Sequence, residues 1–135
     1  MNLLQSIFGR KPVTPQPPPP SAFPVEVVGE SSYQENFIRI FGRPKGDGIN
    51  TVVAASVTLE DDNPYDDQAV RIAIKGMTVG YLSRAQARKY RKVISVATNE
   101  VQANVRGGWN RAGDTGQYGI WLQIPEMEKR KAPVR

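Results

Sequence analysis

The chain contains no cysteine and no histidine. The first absence excludes disulfides, thiolate metal sites and a cysteine nucleophile. The second removes the commonest general base and the commonest zinc ligand together. No apolar run approaches the roughly 20 residues that a membrane helix needs. The opening "MNLLQSIF" has neither the leading positive charge nor the apolar length of a signal peptide. These absences point to a cytoplasmic protein that is not an enzyme, with no metal, no cofactor and no membrane partner.

What is present is 135 residues, 39% apolar and 8% aromatic, enough for one compact domain. The net charge of +5 suggests an anionic partner, but its distribution narrows that reading. Arg10 and Lys11 give residues 1–24 a charge of +2. Lys129, Arg130, Lys131 and Arg135 against Glu126 and Glu128 give residues 125–135 another +2. The body, 25–124, holds 12 cations and 11 acids, so it is nearly neutral. Phosphate must therefore be met by a local patch, which disfavours a protein that coats duplexes by charge alone.

The segment "KPVTPQPPPPSAFP" (11–24) carries seven prolines. Lacking amide donors, it forms neither helix nor ladder and reads as a polyproline tether. Ahead of it, "LLQSIF" is a short amphipathic plug that either docks on a partner such as a helicase or nuclease or simply frays. The tail "EMEKRKAPVR" is polar and reads as disordered. Three regions result: a tether over 1–24, a domain over 25–124 and a basic tail over 125–135.

Inside the domain the apolar period is mostly two. Val25, Val27 and Val28 open a strand, and "YQENFIRIFG" is helical or irregular. "TVVAASVTLE", "AVRIAIKG" and "MTVGYL" read as strands, the last after a Lys75-Gly76 turn. Ser83 is placed to cap the helix "RAQARKYRKVIS". "EVQANVRGGW" and "YGIWLQI" complete the set around a glycine-rich hairpin loop, 107–119. Five or six short strands with one principal α-helix predict a mainly β fold, an OB-like, partly closed small β-barrel.

The most distinctive stretch is "NPYDDQAV" (63–70), a turn with acid on both sides in a basic protein. With "VVGESSYQE" (27–35) and "VGYLSRAQARKY" (79–90), in that order, it resembles the HIRAN domain. That module stands at the N-terminus of helicase-like, fork-remodelling DNA translocases and also occurs as small free-standing bacterial and phage proteins. The resemblance covers residues 25–124. It implies an OB-like barrel and a role in DNA replication and repair, namely recognition of the 3′-hydroxyl end of single-stranded DNA. The chemistry is coherent: a terminal hydroxyl can donate to a carboxylate, whereas a phosphate there is repelled.

Matched by position, the resemblance makes Asp66 the acceptor of the terminal hydroxyl, Tyr65 the stacking ring and Asn63 a polar contact to the last nucleotide. Arg84 becomes a phosphate contact at a helix start, with Arg88 beside it on the same face. Trp109 falls roughly where a further stacking aromatic occurs. The chain departs from the family at 31–33. The best-known member has an arginine and two tyrosines there and uses the arginine and first tyrosine on DNA, where this chain has Ser31, Ser32 and Tyr33. The loss amounts to about 2–4 kcal/mol on the stacking and charged-bond scales unless Tyr33 substitutes.

Other readings of the same residues stand beside this one. Asn63, Pro64 and Asp66 are also the ingredients of an ordinary strand-linking turn. Arg84, Arg88, Arg91 and Lys92 share one helical face, which fits either phosphate contact or a solvated stripe. Pro64 breaks the spacing a calcium loop would need. An adaptor with this fold, docking through residues 1–24 and touching little DNA, is the alternative function.

Overall fold

The computed structural model describes residues 19–128. The "LLQSIF" plug, most of the proline tether and the cationic end of the tail lie outside the described residues. Within them, eight strands are present: β1 (Val25–Val28), β2 (Ile49–Glu60), β3 (Ala69–Ile74), β4 (Met77–Leu82), β5 (Thr98–Gly107), β6 (Asn110–Arg111), β7 (Asp114–Thr115) and β8 (Gly119–Gln123). Three α-helices join them: α1 (Gln34–Phe41), α2 (Arg84–Val93) and the single turn α3 (Pro125–Glu128).

Six of the strands form a closed antiparallel barrel in the order β1-β4-β3-β2-β5-β8, a small OB-like barrel. Closure depends on β1, which divides its four residues between two neighbours. Val25 and Glu26 pair with Leu122 and Trp121 of β8, while Val27 and Val28 pair with Leu82 and Tyr81 of β4. The barrel is therefore closed rather than partly closed, because even a four-residue strand can satisfy two edges when each half faces a different one. Twelve-residue β2 runs along β5 and then along β3, holding Ser56 to Thr58 between both.

The interior follows the two-residue alternation read from the sequence. Val25 and Val27, Val101, Ala103 and Val105, and Ile120 and Leu122 are buried, with their neighbours more exposed except for Asn104, which is buried as well. Gly80 of β4 is required by packing. A Cβ there would collide with Val27 Cγ1 and lie 2.9 Å from the Val28 carbonyl oxygen, so β1 could not approach β4 closely enough to pair. The β3–β4 connection is a two-residue turn, Lys75-Gly76, with positive φ at both positions (51° and 79°), the geometry that matches strand twist.

The helices cover what the strands leave open. The stretch expected to be helical or irregular is the helix α1. Its Phe37 is fully buried and stacks on Tyr118 with ring centroids 5.5 Å apart. Ser83 caps α2 as expected, its hydroxyl oxygen accepting from the Gln86 amide at 3.1 Å. Ala87 and Tyr90 of α2 are buried against the barrel.

Two boundaries differ from the expected ones. Phe23, assigned to the tether, is only 6% exposed and belongs to the core. Pro125–Glu128, assigned to the tail, is helical, and Met127 packs against the core. The glycine-rich loop 107–119 contains a ribbon of its own, in which Asn110 and Arg111 pair with Thr115 and Asp114. Among the described residues no helix is long and apolar enough to cross a membrane.

Candidate functional site

The "NPYD" turn joins β2 to β3, and its local chemistry explains its shape. Asn63 Oδ1 accepts from the backbone amides of Tyr65 (2.8 Å) and Asp66 (3.0 Å). This is an Asx turn, wound around a proline that has no amide to satisfy. Asn63 Nδ2 donates to Glu60 Oε1 at 2.8 Å, tying the turn to the end of β2. Asp66 Oδ1 accepts from the Gln68 amide at 3.0 Å, and the Asp66 carbonyl accepts from Ala69, where β3 begins. The turn is thus held by its own side chains. Asn63 spends its carboxamide oxygen inside it and keeps one amide hydrogen free.

Helix α2 completes the clamp. Arg88 forms a two-pronged pair with Asp66, Nη1 to Oδ2 at 2.8 Å and Nη2 to Oδ1 at 3.0 Å. Arg91 donates to the Gln68 carbonyl (2.8 Å), the Ala69 carbonyl (2.9 Å) and Asp61 Oδ1 (2.8 Å). The cationic stripe expected along this helix is therefore not a free phosphate-binding surface. Two of its arginines are consumed by acids arriving from the turn, some twenty to thirty positions earlier. Arg84 is exposed and makes no ion pair among the described residues.

These acids also account for the carboxylates in a basic protein. Glu60, Asp61, Asp62, Asp66 and Asp67 stand against Arg71, Arg84, Arg88 and Arg91, so the region is close to neutral. The Arg88 guanidinium, helped by the Gln68 amide, lowers the Asp66 carboxyl from 3.8 to about 2. A depressed carboxyl of this kind stabilises the fold above its unfolded value. The contribution fades as pH falls from about 4 through about 2. At neutral pH Asp66 is fully ionised. Three of its roughly four lone-pair positions are taken, leaving one acceptor position on Oδ2.

Beside the turn lies a cleft of about 620 Å³, in the size range of small-ligand sites. Asn63, Tyr65, Asp66, Arg84 and Tyr33 all line it, together with Tyr81 and Glu60. Tyr65 is 91% exposed, its ring standing free at the tip. The Tyr33 and Tyr81 rings form a tilted pair, with centroids 6.4 Å apart and planes at 46°. The Tyr81 hydroxyl donates to Glu60 Oε1 at 2.8 Å, and Arg71 Nε lies 3.4 Å from Glu60 Oε2. Burial and that hydrogen bond push the Tyr81 phenol well above its usual value, so it remains a neutral donor.

Other expected residues are placed differently. Arg88 reaches the cleft only through Asp66. Ser31 and Ser32 are exposed in the 3₁₀ turn Glu30–Tyr33; Ser31 lines a separate hollow and neither lines the cleft. Trp109 stands at the opposite end of β2, where Arg111 covers its ring at 4.6 Å and Gly116 packs against it. Two cleft residues, Glu60 and Tyr81, have no role assigned by the resemblance. Their signal lies in strand position: Glu60 ends the longest strand, and Tyr81 pairs with the outward-facing Val28.

Among the described residues no three acidic side chains are grouped so as to hold a metal ion. Comparison with protein families, curated proteins and solved structures finds no match.

Proposed function

We propose that this protein is a non-enzymatic, HIRAN-like module that binds single-stranded DNA by its 3′-hydroxyl end in the cleft beside the "NPYD" turn. The observation that carries the reading is the pairing of Tyr65, 91% exposed, with an adjacent carboxylate that is locked ionised and retains one acceptor position. A large ring held out in water on a clamped turn is a ready stacking platform, since little ordering remains to be done when a base arrives.

Each neighbour then takes a role. Tyr65 covers the terminal base, and the Tyr33–Tyr81 pair forms the opposite apolar wall. Asp66 Oδ2 accepts a hydrogen bond from the terminal hydroxyl, and the free Asn63 amide hydrogen reaches the sugar. Arg84, exposed at the start of α2, meets the first phosphate. Arg88 is a positioning residue that orients Asp66 and keeps it charged. The near-neutral surroundings suit a neutral sugar terminus better than a bare phosphate.

The reading is tested by topology of the ligand. A linear single strand and its covalently closed circle of the same sequence offer identical bases and phosphates and differ only in ends. Retention of the linear form with loss of the circle is expected in a competition assay. Equal competition by both would overturn end recognition in favour of general strand binding.

A further inference from the structure

A second built feature lies one strand away from the cleft. Arg106 of β5 places its guanidinium carbon 4.0 Å above the centroid of Trp121 on β8. The far end of the indole lies against Gly119, where a Cβ would come to 3.0 Å from Cη2 and 3.2 Å from Cζ3. Arg106 Nε donates to Asn104 Oδ1 at 2.6 Å. Asn104, only 1% exposed, is itself fixed through its Nδ2 to Asn50 Oδ1 (2.8 Å) and the Thr51 carbonyl (3.0 Å). The guanidinium is thus held by a buried polar anchor at its Nε edge and by an aromatic ring against one face. A planar group so fixed presents its outer face for stacking.

Its surroundings define what it would stack with. Hollows of about 320 and 370 Å³ flank the Arg106–Trp121 pair. One is bordered by Glu30 and the other by Glu26, which disfavours phosphate in either and leaves a neutral heterocycle as the group that fits. The pair also lies on a continuous path from the cleft. Val28 lines the cleft, Glu26 faces the same way two residues along β1, and Glu26 pairs directly with Trp121. That path is about 7 Å along β1 and about 5 Å across to β8. Ser83 lines the near hollow while its neighbours Leu82 and Arg84 line the cleft.

We infer that Arg106 and Trp121 form a second nucleobase subsite, which stacks a base upstream of the terminus held in the cleft. This rests on the end-binding reading and adds a minimum ligand length to it. It supplies a planar cation outside the 31–33 segment, where the family's arginine is missing.

Trp109→Phe leaves Trp121 as the only tryptophan and therefore a direct reporter. A 3′-hydroxyl oligomer of about six nucleotides, within the site size of one barrel, is expected to change Trp121 emission on binding. A 3′-hydroxyl dinucleotide is expected to bind without that change. Arg106→Gln in the full chain should weaken the longer oligomer about tenfold and leave the dinucleotide unaffected. Arg106→Lys, which keeps the charge but not the plane, should behave like the glutamine variant. If the longer strand binds with 3′-hydroxyl preference while Trp121 emission and the Arg106→Gln affinity stay unchanged, the subsite is refuted and end binding survives. Equal weakening of both lengths would assign Arg106 to the fold and also refute it. Binding by neither ligand would remove both readings.

Discussion

Asp66→Ala is expected to abolish the preference for a 3′-hydroxyl over a 3′-phosphate terminus. A hydrogen bond to a charged acceptor is worth about 1.5–3 kcal/mol, so affinity for the hydroxyl strand should fall roughly 10- to 100-fold. The phosphate strand should lose little, because removing the carboxylate also removes the repulsion that excludes it. Asp66 has structural duties too, since it anchors Arg88 and the Gln68 amide. Arg88→Gln separates the two. It loosens the turn but leaves the acceptor, so both strands should weaken together and the preference should persist. Equal losses on both ends for Asp66→Ala would make Asp66 a turn-former only.

Tyr65→Ala is expected to weaken every single-stranded ligand without weakening the fold. Stacking of one base contributes about 1–3 kcal/mol and tolerates any sequence, so the loss should be roughly 5- to 100-fold on homopolymers of each base alike. Stability should stay within about 0.5 kcal/mol, as for an exposed position with no structural partner. The 91% exposure of the ring makes this contrast sharp. A side chain that covered the barrel end, the ordinary role for an aromatic in a strand-linking turn, would show the reverse pattern in paired melting and binding curves.

The barrel was legible in the sequence because its signals are local. Alternating β-branched residues mark β2 and β3, Lys75-Gly76 marks their sequel, and Ser83 marks the start of α2. The "NPYD" turn carries its own Asx chemistry and folds as its residues dictate. Closure was harder to see, since it depends on β1 splitting its pairing between β4 and β8, and four residues do not announce two partners. The charges of α2 were misleading for a related reason. Seen alone, Arg84, Arg88 and Arg91 form an acid-free stripe, but the acids that neutralise Arg88 and Arg91 lie at 66 and 61. Helical periodicity carries no information about a loop that folds over from before the preceding two strands.

The same limit explains the site residues. Tyr65, Asp66 and Asn63 are contiguous, so the turn that makes them neighbours also brings them to one cleft. Tyr33 and Arg84 arrive there because the strand register sets Val28 beside Tyr81 and Val27 beside Leu82. Trp109 lies in a loop whose position no periodicity fixes, and the glycines around it carry its ring to the far end of β2. Glu60 and Tyr81 join the cleft through a hydrogen bond spanning 21 positions.

End recognition requires that the cleft distinguish one terminal group from another. Fluorescence anisotropy of the unaltered protein with two oligonucleotides, identical except for a 3′-hydroxyl or a 3′-phosphate, measures this directly. Binding of the hydroxyl form at least about tenfold tighter, the worth of one charge-assisted hydrogen bond, is the result expected. Equal affinity for the two, or tighter binding of the phosphate, would contradict it.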